Sequence, residues 1–85
     1  MRIPRDVSGE ELARALEGLG YRVTRQTGSH MRLTTERGGE HHITIPHHDS
    51  LRVGTLAAIL GGVGEHLGLS RDEVAGMVFG DGGRT

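Results

Sequence analysis

The chain has 85 residues, with ten arginines and no lysine, eleven acidic residues, six histidines, no cysteine and a formal net charge of -1. That length allows one small core, because a chain this short buries only about 60% of the surface its unfolded form exposes; the lack of cysteine excludes a disulfide framework or a thiolate zinc site. Tyr21 and Phe79 are the only aromatic rings among Phe, Tyr and Trp, which excludes the base-stacking platforms of many single-strand binders, and the near-neutral charge excludes a molecule-wide attraction for phosphate.

Ser8-Gly9-Glu10-Glu11 has the form of a capping box, in which hydroxyl and carboxylate satisfy the first free N–H groups of a helix. Leu12, Ala15, Leu16 and Leu19 follow as one apolar stripe, so the spacing predicts a helix over 9–19 with Gly20 as its stop. From Tyr21 to Gln26 the chain alternates and is rich in strand formers, and Thr27-Gly28 offers a hairpin turn in which Gly28 takes a positive φ. A second strand is expected from Ser29 to Thr35, a Gly38-Gly39 turn, and a third strand from His41 to Ile45 that ends at Pro46.

The period of two assigns faces. Met31 and Leu33 share one side of the second strand, and His30, Arg32 and Thr34 the other; Ile43 and Ile45 point inward, His42 and Thr44 outward. Between Gly20 and Thr35 the charged residues are Arg22, Arg25 and Arg32, with no carboxylate among them.

His47 to Val53 is a polar loop anchored by Leu51 and Val53. Gly54-Thr55 then opens a second helix with Leu56, Ile59, Leu60, Val63 and Leu67 on its apolar stripe. Gly61, Gly62 and Gly64 each weaken it by about 1 kcal/mol relative to alanine, so a kink or fraying is expected there. A second capping box, Ser70-Arg71-Asp72-Glu73, opens a short third helix whose inner residues are Val74, Met77 and Val78, with Phe79 near its exposed end. Residues 1–80 form a single domain and 81–85 a disordered tail. With no leader pattern and no apolar run near spanning length, a soluble cytoplasmic protein with no membrane attachment is expected.

The fold class is therefore α+β. A two-layer sandwich has a three-stranded antiparallel sheet with helices on one face, in the order α-β-β-β-α plus a short C-terminal helix. That order is the double-stranded-RNA-binding-domain-like arrangement.

Four separated motifs add to this order: Arg25-x-x-Gly28-Ser29-His30 at the turn, Ile45-Pro46-His47 ending the third strand, Leu51-x-x-Gly54-Thr55-Leu56, and Ile59-Leu60 in the helix that follows. Together, over roughly Ser8 to Leu69, they resemble the HicA-type mRNA interferase toxins. The resemblance implies an endoribonuclease toxin of a type II toxin-antitoxin system that acts on mRNA and is neutralised by a HicB-type antitoxin protein over its active surface. The family's catalytic histidine falls on His30. The free toxin is expected to be a monomer.

RNA carries its own nucleophile, the 2′-hydroxyl. Cleavage needs a base, an acid for the leaving 5′-oxygen, and positive charge at the phosphate. Histidine serves as either base or acid near neutral pH. The expected site is His30 for proton transfer, Arg22, Arg25, Ser29 and Arg32 for RNA binding, and His42 or His47 as the second acid or base, with no metal or other cofactor. A non-catalytic RNA-binding or partner-binding module of the same fold is the alternative. A third reading draws on His41, His42, His47 and His48 with Glu40 and Asp49 as metal ligands; their spacing matches no strong zinc signature, and period two sends His41 and His42 to opposite faces.

Overall fold

Two capping boxes fix where helices begin. Ser8 Oγ accepts from the Glu11 N–H (3.0 Å) while the Glu11 carboxylate accepts from the Ser8 N–H (2.9 Å), and Ser70 and Glu73 repeat the exchange at 3.0 and 2.8 Å. The computed structural model describes residues 6–80, in the order α1 (Gly9–Glu17), β1 (Arg22–Gln26), β2 (His30–Thr35), β3 (His41–Pro46), α2 (Val53–Leu67) and α3 (Arg71–Phe79). The expected tail at 81–85 lies outside the described residues. Helix α1 stops two residues short of expectation, because Gly18 to Gly20 turn the chain, Gly20 at φ 100°. Leu19 is buried all the same.

The strands form one antiparallel sheet in the order β1-β2-β3. Leu12 and Leu16 from α1, Met31, Leu33 and Ile45 from the sheet, Leu56, Leu60 and Val63 from α2, and Val74 and Ala75 from α3 are all buried in a single cluster. The helices thus cover the sheet face that carries Met31, Leu33 and Ile45. On the opposite face Arg22, Thr24, Arg25, His30, Arg32, His42 and Thr44 are exposed. The α+β class and the α-β-β-β-α order hold, with α3 as the extra C-terminal helix.

Several expectations fail for identifiable reasons. Helix α2 runs unbroken through its glycines, since Leu56, Leu60 and Val63 bury fully against the core and compensate for weak propensity. Gly64 is required there: a Cβ would stand 2.5 Å from the Leu69 carbonyl oxygen, where the chain folds back to α3. Met77 is 55% exposed, and Ala75 takes the inner position of α3; Phe79 packs partly buried against the core. Val53 is exposed, leaving Leu51 as the loop's buried anchor. Among the described residues no helix is long and apolar enough to cross a membrane.

Candidate active site

The turn before β2 is built by Thr27. Its N–H donates to the His30 carbonyl (2.9 Å), and its hydroxyl accepts from the N–H groups of His30 (3.1 Å) and Ser29 (3.3 Å) and donates to the same carbonyl (3.3 Å). This local side-chain closure replaces the turn expected from Gly28, which does not take a positive φ. His30 is thereby gripped at both its backbone N–H and its C=O. Ser29 Oγ lies 3.0 Å from His30 Nδ1, a contact that orients the ring of this exposed residue.

From the other side the end of β3 supports the turn. His30 pairs with Pro46, and the His47 N–H donates to the Ser29 carbonyl at 2.8 Å. Helix α1 abuts this corner: the Gly9 N–H donates to the His48 carbonyl (2.9 Å), and a Cβ on Gly9 would collide with the Pro46 carbonyl oxygen.

Next to His30 along the outer face comes an arginine pair. Strand β1 pairs Arg22 with Thr34 and Val23 with Leu33, then skips Thr24 and pairs Arg25 with Arg32 and Gln26 with Met31. In a regular strand residues three apart face opposite sides, so Arg22 and Arg25 would be separated. The extra residue, Thr24, resets the phase, as bulges do, and places Arg22, Arg25 and Arg32 on the face of His30. No residue of the three strands is acidic. With successive residues rising about 3.4 Å, Arg32 lies about 7 Å and Thr34 about 14 Å along the strand from His30.

The remaining histidines divide between the two faces. His42, opposite Thr34, is two rungs beyond Arg32 and bound at both ring nitrogens, to Thr34 Oγ1 (2.8 Å) and Glu40 Oε2 (3.0 Å). Thr34 is buried on the outer face, contrary to expectation, because Thr24 (Oγ1 to Oγ1 2.9 Å) and His42 close over it. His47 sits on the rung of Ser29 but turns its ring to Glu10 on α1, with Nε2 3.0 Å from the carboxylate. Neither shares a hydrogen bond with His30.

His41 points away from the outer face. Its Nδ1 meets the buried Tyr21 hydroxyl at 2.8 Å, and its ring stacks on His66 of α2 with centroids 4.3 Å apart. His66 Nε2 reaches the carbonyl oxygens of Arg37 and Gly39 (2.9 and 3.0 Å), and since carbonyls only accept, this nitrogen carries the proton. The pair pins the β2–β3 loop to α2. Burial pushes the Tyr21 phenol up; burial, then the nearby His66 and His42 rings, hold His41 below the usual imidazole range, with Glu65 opposing. Among the described residues no three His, Asp or Glu side chains group as a metal site would require.

Period two could not find the bulge, and with it the alignment of Arg25. The hydrogen-bonding roles of Thr24, Thr27 and Thr34 lie beyond period two as well. Only Thr27 left a signal in the sequence, a hydroxyl residue two and three positions before the backbone N–H groups it satisfies.

The fold and face define a small two-layer α+β protein with an open sheet surface whose strands carry no acid and on which His30 lies beside the opposed Arg25 and Arg32. The family model for the HicA toxin of bacterial toxin-antitoxin systems matches residues 9–68, a span that covers α1, the whole sheet and α2. The chain belongs to this toxin family. No curated protein and no solved structure matches it at a significant level.

Proposed function

We propose that the toxin is an endoribonuclease that cleaves mRNA at the outer sheet face, with His30 as the proton-transfer residue. The observation that carries this reading is the placement of His30 on an open face beside the Arg25–Arg32 pair, with no acidic residue in any strand. Two opposed guanidiniums suit a phosphodiester, which each can hold bidentately. When His30 donates Nδ1–H to Ser29 Oγ, its Nε2 carries the lone pair and takes the proton of the 2′-hydroxyl. The 2′-oxygen attacks the neighbouring phosphorus, the bond to the 5′-oxygen breaks, and a 2′,3′-cyclic phosphate forms. The arginines stabilise the charge that builds on the phosphoryl oxygens in that step.

The second proton, for the departing 5′-oxygen, comes from His47 or His42. His47 is one rung from His30 and held only at Nε2, but its ring turns to Glu10 on α1, the helix side of the sheet, whereas His42 shares the outer face but is about 14 Å along the strand and tied at both nitrogens. Arg22 extends the face for a neighbouring phosphate. A HicB-type antitoxin neutralises the toxin by covering this face, and no metal or other cofactor takes part.

The test uses purified protein with EDTA and two oligonucleotides, one all-ribose and one 2′-deoxy throughout. Cleavage of the first alone, with 2′,3′-cyclic phosphate ends, is expected. Cleavage of the deoxy strand, or products ending in a 3′-hydroxyl, would overturn the mechanism.

A further inference from the structure

On the reading that the outer face holds RNA phosphates, we propose that Thr24 is a positioning residue of that site: the bulge it forms sets Arg25 opposite Arg32, and its hydroxyl keeps the bulge in place. An inserted residue leaves the ladder locally unpaired. Like charges facing each other across two strands also repel, so the Arg25–Arg32 register needs a restraint.

Thr24 supplies it. Its hydroxyl lies 2.9 Å from Thr34 Oγ1 and 3.3 Å from the carbonyl oxygen of Arg32, which is the residue Arg25 must face. Thr34 is buried and bonded to His42 Nδ1 (2.8 Å), and His42 Nε2 to Glu40 Oε2 (3.0 Å).

The chain of bonds has a direction. A carboxylate only accepts, so His42 Nε2 carries a proton; where Nδ1 accepts from the Thr34 hydroxyl, the single Thr24 proton is shared between Thr34 Oγ1 and the Arg32 carbonyl oxygen, both of which then accept. The bulge in β1 is thus tied across β2 to β3 and the Glu40 carboxylate. Thr24 acts through Arg25 and has no charge of its own to offer RNA. A bulge serving stability alone would show itself in unfolding and leave the affinity for RNA untouched.

The experiment measures binding of a 2′-O-methyl oligonucleotide, which cannot be cleaved, over a range of salt concentrations. Thr24→Val keeps the β-branched shape at an exposed site and removes the hydroxyl; Thr24→Ser keeps the hydroxyl. Thr24→Val is expected to weaken binding about tenfold and to reduce the salt slope by about 0.7, the value for one lost phosphate contact on a single strand. Arg25→Ala should do the same, and the double variant should be no worse than either alone. Thr24→Ser should restore affinity. Without RNA, the cross-strand NOE between the Hα protons of Gln26 and Met31, the neighbouring pair whose register the bulge also sets, should weaken in Thr24→Val and persist in Thr24→Ser.

Wild-type affinity and slope in Thr24→Val, an unchanged NOE, or additive losses with Arg25→Ala would each overturn the proposal. A wild-type protein that binds no RNA overturns the reading beneath it, and a wild-type protein that binds while Thr24→Val binds equally overturns the role of Thr24 alone.

Discussion

Arg25 stands directly opposite Arg32 across the β1–β2 ladder, two like charges paired on a surface whose strands contain no acid. Such a pair works against the free fold and favours any anion that bridges it. Stability and function should therefore respond to its loss with opposite signs.

Arg25→Ala is expected to leave the urea midpoint unchanged or slightly raised, since it relieves the repulsion. The same substitution should weaken RNA binding at low salt and flatten its salt dependence. Parallel urea titrations and binding isotherms check both halves. A fall in stability together with unaltered binding would show the pair to be structural.

Thr27→Val removes the hydroxyl that serves Ser29 and His30. With a net worth near 1 kcal/mol for a typical hydrogen bond, stability should drop by about 1 kcal/mol. The turnover rate should suffer more than the KM, because the backbone of His30 is displaced while the arginines stay. Single-turnover cleavage alongside urea unfolding separates the two effects.

The glycines of α2 should behave differently from one another. A Cβ at Gly62 meets nothing within 4 Å, so Gly62→Ala should stabilise the helix by about 1 kcal/mol through propensity. Gly64→Ala would press on the Leu69 carbonyl at 2.5 Å and should destabilise, as overpacking does, by about 1–3 kcal/mol. Thermal unfolding of the two variants gives the signs directly.

Acid should weaken the fold near neutrality. Burial and the neighbouring His66 and His42 rings hold His41 below its ordinary value, with Glu65 acting in the other direction. The unfolded chain, with an imidazole near about 6.5, therefore takes up the proton first. Stability from this group is complete above that value and is lost as pH falls through the folded one. The urea midpoint should decline as pH falls from about 7 to about 5, and the decline should shrink in His41→Gln. A midpoint that rises on acidification over that window would contradict the assignment.

Much of this was legible in the sequence because local rules and tertiary packing agree. The capping boxes at Ser8 and Ser70, the inward Met31, Leu33 and Ile45, and the outward His30, Arg32, His42 and Thr44 all follow from short-range chemistry and period two. What escaped depends on a partner strand or helix. The bulge at Thr24 is defined only against β2, Thr34 is buried only because Thr24 and His42 meet over it, and α2 stays whole because the core holds it. Gly28 misled for the opposite reason: glycine is permitted a positive φ, but the Thr27 hydroxyl closed the turn without one.

The most direct measurement is the paired induction of wild type and His30→Ala without an antitoxin, reading growth and mRNA integrity together. His30 is exposed and the substitution leaves the core untouched, so both proteins should fold. Wild type should arrest growth and fragment mRNA, while His30→Ala should do neither. Full fragmentation and arrest by His30→Ala would contradict the assignment of this face as the catalytic site.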